Sequence, residues 1–244
     1  MKLIINADDF GLSKSITDGI ITGIKDGYIT STSIMINMKY AQYAINEAIV
    51  NNITCIGLHV NLTVGYPIIE NCNLTDSDGK FLYNKLQIEN QNLTYEDAYN
   101  EIMAQINKVE ELSNGEIKID HLDTHHGLCK NTNIRQALID IANKLDIPMR
   151  REQSINKEVV RCSDIYYNDF SIKNISLDKL KEMVKKYEKE NIVVELLTHP
   201  GFVDEYTKTV TSCLTREQEL NVLRQAKESG IFEGIELINF GGIE

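Results

Sequence analysis

Short apolar runs alternate with helical patterns along this 244-residue chain, and that alternation constrains the fold more than any other feature. Segments 3–7, 32–36, 55–62, 117–124, 147–150, 192–197 and 235–240 read as strands. Between them, apolar residues recur at helical spacing in 13–26, 40–50, 94–112, 133–145, 177–190 and 215–229. Ser13 or Ser15 and Thr94 stand where N-caps belong, and Gly27 and Gly230 where helices stop. Strands that alternate with helices build a parallel sheet. No linker divides the chain, so 1–244 is expected to be a single domain. Such a sheet either stays open or closes into a barrel. No G-x-G-x-x-G follows the first strand, which argues against a dinucleotide fold. Polar residues gathered at the C-terminal ends of several strands favour a barrel. The expected class is α/β: a distorted or incomplete (β/α) barrel of about seven parallel strands. Segment 64–93, with Pro67 and the turn signal Asp78-Gly79, is a long irregular stretch, and such stretches commonly serve function.

The histidines sharpen this picture. There are five (His59, His121, His125, His126 and His199), each at or just past the end of an expected strand. A parallel barrel brings those ends to one rim. The first strand ends there too, in the adjacent carboxylates Asp8 and Asp9 of "NADDFG". Strand alternation sends such neighbours to opposite faces. Parity in "HLDTHH" puts His121, Asp123 and His125 on the axis-facing side, with His121 deepest, and Leu122 in the layer under the helices. A divalent cation held by one Asp and two His would offset the charge at the strand end and leave positions open for water and substrate. The second carboxylate would then be free to act on water. Each member also has a plainer reading. Asp-Asp-Phe-Gly suits a solvated turn. His59 and His121 suit hydrogen-bonded core positions, and His199 before Pro200-Gly201 suits a turn. Glu195, inside an apolar strand, reads as a salt-bridge partner or as an acid.

Composition narrows the partners. A formal net charge of −11 argues against nucleic acid and against an anionic membrane surface. No apolar run approaches the roughly 20 residues of a membrane span. The apolar run after Met1 is cut short by Asp8, so no signal peptide is expected. The five cysteines form no C-x-x-C pair and suggest neither disulfides nor a thiolate site. Together these place the chain in the cytoplasm.

The motifs "NADDFGLSKSITDGI", "TSTSIMIN", "GLHVNLT", "HLDTHHG" and "THPG", in this order, resemble the YdjC-like carbohydrate deacetylases, which include the chitooligosaccharide deacetylases. The resemblance runs from Leu3 to the closing "IELINF". It implies a barrel like that of the NodB-homology deacetylases and a divalent ion, magnesium or zinc. It also implies small N-acetylated sugars as substrates, as in chitin degradation, and a homodimer. By position it implies Asp9, His59 and His125 as metal ligands, Asp8 as general base, Arg150 of "IPMR" beside that base, and His199 as general acid. One departure bears on the substrate. The chitooligosaccharide branch carries a run of the form H-H-H-x-H, whereas this chain reads His125, His126, Gly127, Leu128, Cys129. Aromatics Tyr66, Phe81 and Tyr83 of segment 64–93 are expected over the sugar. Two rivals are a metal-dependent phosphoesterase and a non-catalytic sugar-binding barrel. The first lacks the Lys, Arg or Gly-rich phosphate loop expected at the rim, and the second would need neither base nor acid.

Overall fold

The computed structural model describes residues 1–70, 73–152, 155–170, 174–211 and 215–243. Among these, seven strands pair in parallel: β1 (Lys2–Phe10), β2 (Ser31–Ile34), β3 (Ile56–Val60), β4 (Leu122–Thr124), β5 (Ile165–Tyr167), β6 (Val193–Thr198) and β7 (Glu236–Leu237). The order is β4-β3-β2-β1-β6-β5, and β7 joins the start of β1. Beyond Lys2, β1 is buried along its whole length, as a central strand covered on both faces must be.

Among the described residues, eight helices connect the strands: α1 (Lys14–Lys25), α2 (Ala41–Val50), α3 (Lys85–Ile88), α4 (Tyr95–Leu112), α5 (Thr132–Leu145), α6 (Leu177–Tyr187), α7 (Thr207–Val210) and α8 (Arg216–Glu228). Their starts follow from local chemistry. Ser13 caps α1 by accepting from Ile16 N, and Thr94 and Asp97 form a reciprocal capping box on α4. Apolar stripes face inward, for example Ile16 and Ile20 on α1 and Ile134, Leu138 and Ile141 on α5, all fully buried. Truncating one of these to Ala would cost about 2–5 kcal/mol.

The barrel is incomplete. Between β4 and β5 its wall consists of irregular chain. Leu122 N donates to Pro148 O (3.1 Å), Arg150 N to Leu122 O (2.8 Å), and Met149 N to Arg161 O (2.9 Å). The expected strand at 147–150 is therefore a single bridge, Leu122↔Met149. Proline has no N–H to extend a ladder there. The expected strand at 117–124 shrinks to three residues, and that at 235–240 to two residues followed by a 3-10 turn, Phe240–Gly242. β5 was not anticipated. Segment 64–93 is built rather than loose. It contains α3 and a Thr75↔Phe81 bridge, and buried side chains pin it from below. Gln87 donates to Leu62 O and Leu74 O, and the Glu101 carboxylate accepts from Ile68 N and Ile69 N.

Two glycines set close approaches. Gly57 leaves room for the His121 ring, which an added Cβ would overlap. Gly19 on α1 lies against the chain after His199, where an added Cβ would sit 2.7 Å from Gly201 Cα and from Phe202 N. Cys55, Cys129 and Cys162 are free thiols, while Cys72 and Cys213 lie outside the described residues. No helix among the described residues is long and apolar enough to cross a membrane.

Candidate active site

The site begins where β1 loses its regularity. The register against β2 shifts between Ala7 and Phe10, and Asp9 takes a left-handed φ of +72°. Asp is among the few residues that tolerate this region, at a cost of about 1–3 kcal/mol. The consequence is geometric. A regular strand would send Asp8 and Asp9 to opposite faces, as expected above. The bulge instead turns both into one cavity of about 640 Å³ at the strand ends. That cavity is also lined by His59, His125, Arg150 and His199. The structure thus brings together all six residues singled out from the sequence.

Three donor atoms form a triangle. His59 Nε2 lies 3.5 Å from Asp9 Oδ1, His125 Nδ1 lies 3.3 Å from the same oxygen, and the two ring nitrogens are 3.3 Å apart. A cation about 2.0–2.2 Å from each donor would produce separations of this size. Asp9 Oδ1 is buried and has no hydrogen-bond partner, so one ligand atom is left available. The residues present fit a divalent ion. His59 is oriented from behind, since its Nδ1 lies 2.7 Å from Asp123 Oδ1. In the neutral ring that contact keeps the proton on Nδ1 and leaves the Nε2 lone pair for the site.

Asp8 is held differently. Arg150 grips it with two bonds, Nη1 to Oδ2 at 2.8 Å and Nη2 to Oδ1 at 2.7 Å, and Asn6 Nδ2 adds a third to Oδ1 at 2.9 Å. Oδ2 faces both His59 Nε2 (3.8 Å) and His199 Nε2 (3.9 Å). Arg150 is fully buried and also serves Asp123 (3.0 Å) and Glu195 (2.6 Å). Glu195 is therefore the guanidinium's salt-bridge partner. Its carboxyl is pushed up to about 7 by burial, which Arg150 only partly offsets.

Burial also opposes charge on the ligand side, yet the neighbours prevail. Burial disfavours the Asp9 carboxylate, but Arg216 and His125 hold it well below the usual range. Burial likewise disfavours a charged His59, but Asp123, Asp8 and Asp9 raise it to about 9. His125 is lowered, chiefly by burial, and His126 is pushed down to about 3 by burial and by His125.

Sequence reasoning missed two residues of the site. Arg216, at the start of α8, donates from Nη2 to Asp9 Oδ2 at 2.5 Å. Glu219, one turn on, accepts from His199 N at 2.5 Å. Neither carries a local signal, because both sit in an ordinary charged helix. Asp123 was placed on the axis side by parity, and its pairing with His59 was the part not foreseen. His121 lies just before β4 rather than past a strand end. It is buried, stacked on Phe240 and 2.6 Å from Asp120, as a core histidine would be. Of the loop aromatics, Phe81 is buried and packs the loop, so it cannot cover a sugar. Tyr83 and Tyr66 are exposed, and Tyr83 meets the His126 ring edge-on at 5.5 Å between centroids.

The model of the YdjC-like protein family matches residues 2–231. The chain belongs to the YdjC-like family. A carbohydrate deacetylase of Listeria monocytogenes is 32% identical over 248 aligned positions, covering 98% of this chain and 99% of the relative. A crystal structure from Enterococcus faecalis V583, whose name proposes cellobiose-phosphate cleavage, superposes with a TM-score of 0.88 at 29% identity, covering 98% of this chain and 97% of that one. The Xyl-CE4 domain of a multidomain xylanase from a Trinervitermes trinervoides hindgut metagenome shares the fold, with a TM-score of 0.52 at 12% identity over 97% of this chain and 86% of that one. In this YdjC-like chain, Cys129 is a free thiol close behind the His125-His126 pair. It is buried against Glu152, and burial first, then Glu152, raises its thiol well above the usual range. A thiol so disfavoured as thiolate does not substitute for a histidine ligand.

Proposed function

We propose that this protein is a metal-dependent hydrolase that removes N-acetyl groups from acetylated amino sugars or short oligosaccharides, with 1–244 acting as one catalytic unit. The observation that carries the reading is the pairing of an open three-donor set with a separate, arginine-clamped carboxylate beside it. The name of the Listeria relative supports the same reaction class.

In this reading Asp9, His59 and His125 hold the ion, with magnesium and zinc as the candidates. A bound divalent ion polarises the acyl oxygen and makes water more acidic. Asp8 accepts the proton of the attacking water through Oδ2, the oxygen that faces the donor triangle. Arg150 fixes the plane of the Asp8 carboxylate by donating to both of its oxygens. His199, whose Nε2 lies 3.9 Å from Asp8 Oδ2 and which is more exposed than the ligands, donates a proton to the departing amine. Water oxygen bonds to the carbonyl carbon, the C–N bond breaks, and acetate and a free amine leave. Tyr83, at the rim, offers a face to the sugar. We place the protein in the cytoplasm, acting on small sugars, as a homodimer. Acetate release from N-acetylglucosamine oligomers that stops on chelation and returns with a divalent ion is the expected result. Turnover that ignores chelation would refute the assignment.

A further inference from the structure

The first turn of α8 grips two separate parts of this site, and nothing in the reaction above uses it. Arg216 is buried, at 3% exposure. Its Nη2 donates to Asp9 Oδ2 (2.5 Å) and to Thr211 Oγ1 (3.1 Å), and its Nη1 donates to the carbonyl of His199 (3.4 Å). Glu219, also buried and three residues on, accepts the backbone N–H of His199 on Oε2 at 2.5 Å. Both backbone groups of His199 therefore end on one face of α8. The two oxygens of Asp9 have unlike surroundings: Oδ2 is taken by the guanidinium, while Oδ1 has no hydrogen-bond partner and faces both ligand imidazoles.

A plain stabilising ion pair explains this poorly, because a buried salt bridge is weak evidence for stability. The asymmetry at Asp9 is what such a pair would not need. A carboxylate can bind a cation through one oxygen or two. A guanidinium fixed on Oδ2 removes the second oxygen, so Asp9 occupies one coordination position and leaves the others to water and substrate. It also draws electron density from the carboxylate, which leaves the cation the stronger Lewis acid. The same helix turn then sets where His199 stands relative to that cation.

We infer that Arg216 and Glu219 are a positioning clamp that makes Asp9 a one-oxygen ligand and holds the backbone of His199. The inference rests on the deacetylase reading, which assigns Asp9 to the ion and His199 to the amine. The test uses the full chain and Co²⁺ as the probe, reading chelator competition, the visible spectrum of the bound ion, kcat and KM. In Arg216→Ala, Co²⁺ should bind at least as tightly as in wild type, with a spectrum shifted toward higher coordination number. Its kcat should fall about 10–100-fold with KM unchanged. Arg216→Lys, which supplies charge without the fork, should recover part of the loss. Glu219→Ala, which removes the acceptor of the His199 N–H, should leave the spectrum alone and lower kcat through His199. Arg216→Ala that keeps the wild-type spectrum and kcat overturns the clamp, as does Co²⁺ affinity weakened by about tenfold or more. Should Arg216→Ala not fold, Arg216→Lys decides by the same measures: a shifted spectrum with reduced kcat supports the clamp, and wild-type values overturn it. Wild-type protein that binds no Co²⁺ would instead overturn the deacetylase reading itself.

Discussion

Uptake of a divalent ion should release one proton, and that proton should come from His59. In the metal-free protein, burial works against its imidazolium, but Asp123, Asp8 and Asp9 raise its pKa to about 9. The other proposed ligands carry no competing proton near neutrality, since His125 is lowered and Asp9 lies well below the usual carboxylate range. A ligating imidazole must be neutral. Below a pKa of about 9 the apparent affinity should thus rise about tenfold per pH unit, and above it the dependence should flatten. From pH 6 to pH 8 this amounts to about a hundredfold, or about 3 kcal/mol. Titration calorimetry with Zn²⁺ in two buffers of different ionisation enthalpy counts the proton, and chelator competition gives the slope. Asp123→Asn should move the break to lower pH, because it removes the strongest of the three neighbours that raise His59. Affinity that is flat between pH 6 and 8, with no proton released, would refute the reasoning.

Three other substitutions probe separate links. Asp8→Asn should retain the ion and lose about a hundred- to ten-thousandfold in kcat; loss of the ion, measured by metal content, would mean the two aspartates have exchanged roles. Gly19→Ala should destabilise by about 1–3 kcal/mol in thermal unfolding and lower kcat by shifting the His199 loop, because its Cβ meets backbone that cannot yield. An unchanged Tm with full activity would contradict that packing. Glu195 has a folded-state pKa of about 7 against an ordinary 4.5, so its contribution to stability is full below 4.5 and is lost as pH rises through about 7. Denaturation of Glu195→Gln at pH 5 and pH 8 should show a smaller difference than wild type, by up to about 3 kcal/mol.

What the sequence made legible was whatever a local pattern encodes. β1, β3 and β6 are buried enough to read as apolar runs, and α1 and α4 announce their starts through Ser13 and Thr94. β5 was missed because three half-buried residues leave no alternation to detect. Residues 147–150 carry the right residue types, but Pro148 limits them to a bridge. The site was legible through motif order and through parity, which placed Asp123 and His125 on the inner side. The bulge at Asp9 was not, since alternation assumes a regular strand. Arg216 lies 207 residues from the carboxylate it grips, and no spacing rule spans that distance.

Metal-dependent deacetylation through His59 is read out by acetate release from a panel of N-acetylated mono- and disaccharides, with and without chelator, in wild type and His59→Ala. Chelation should abolish release, a divalent ion should restore it in wild type, and His59→Ala should fail to recover it at low metal concentration. Full activity of His59→Ala under that condition, or release indifferent to chelator, would contradict it.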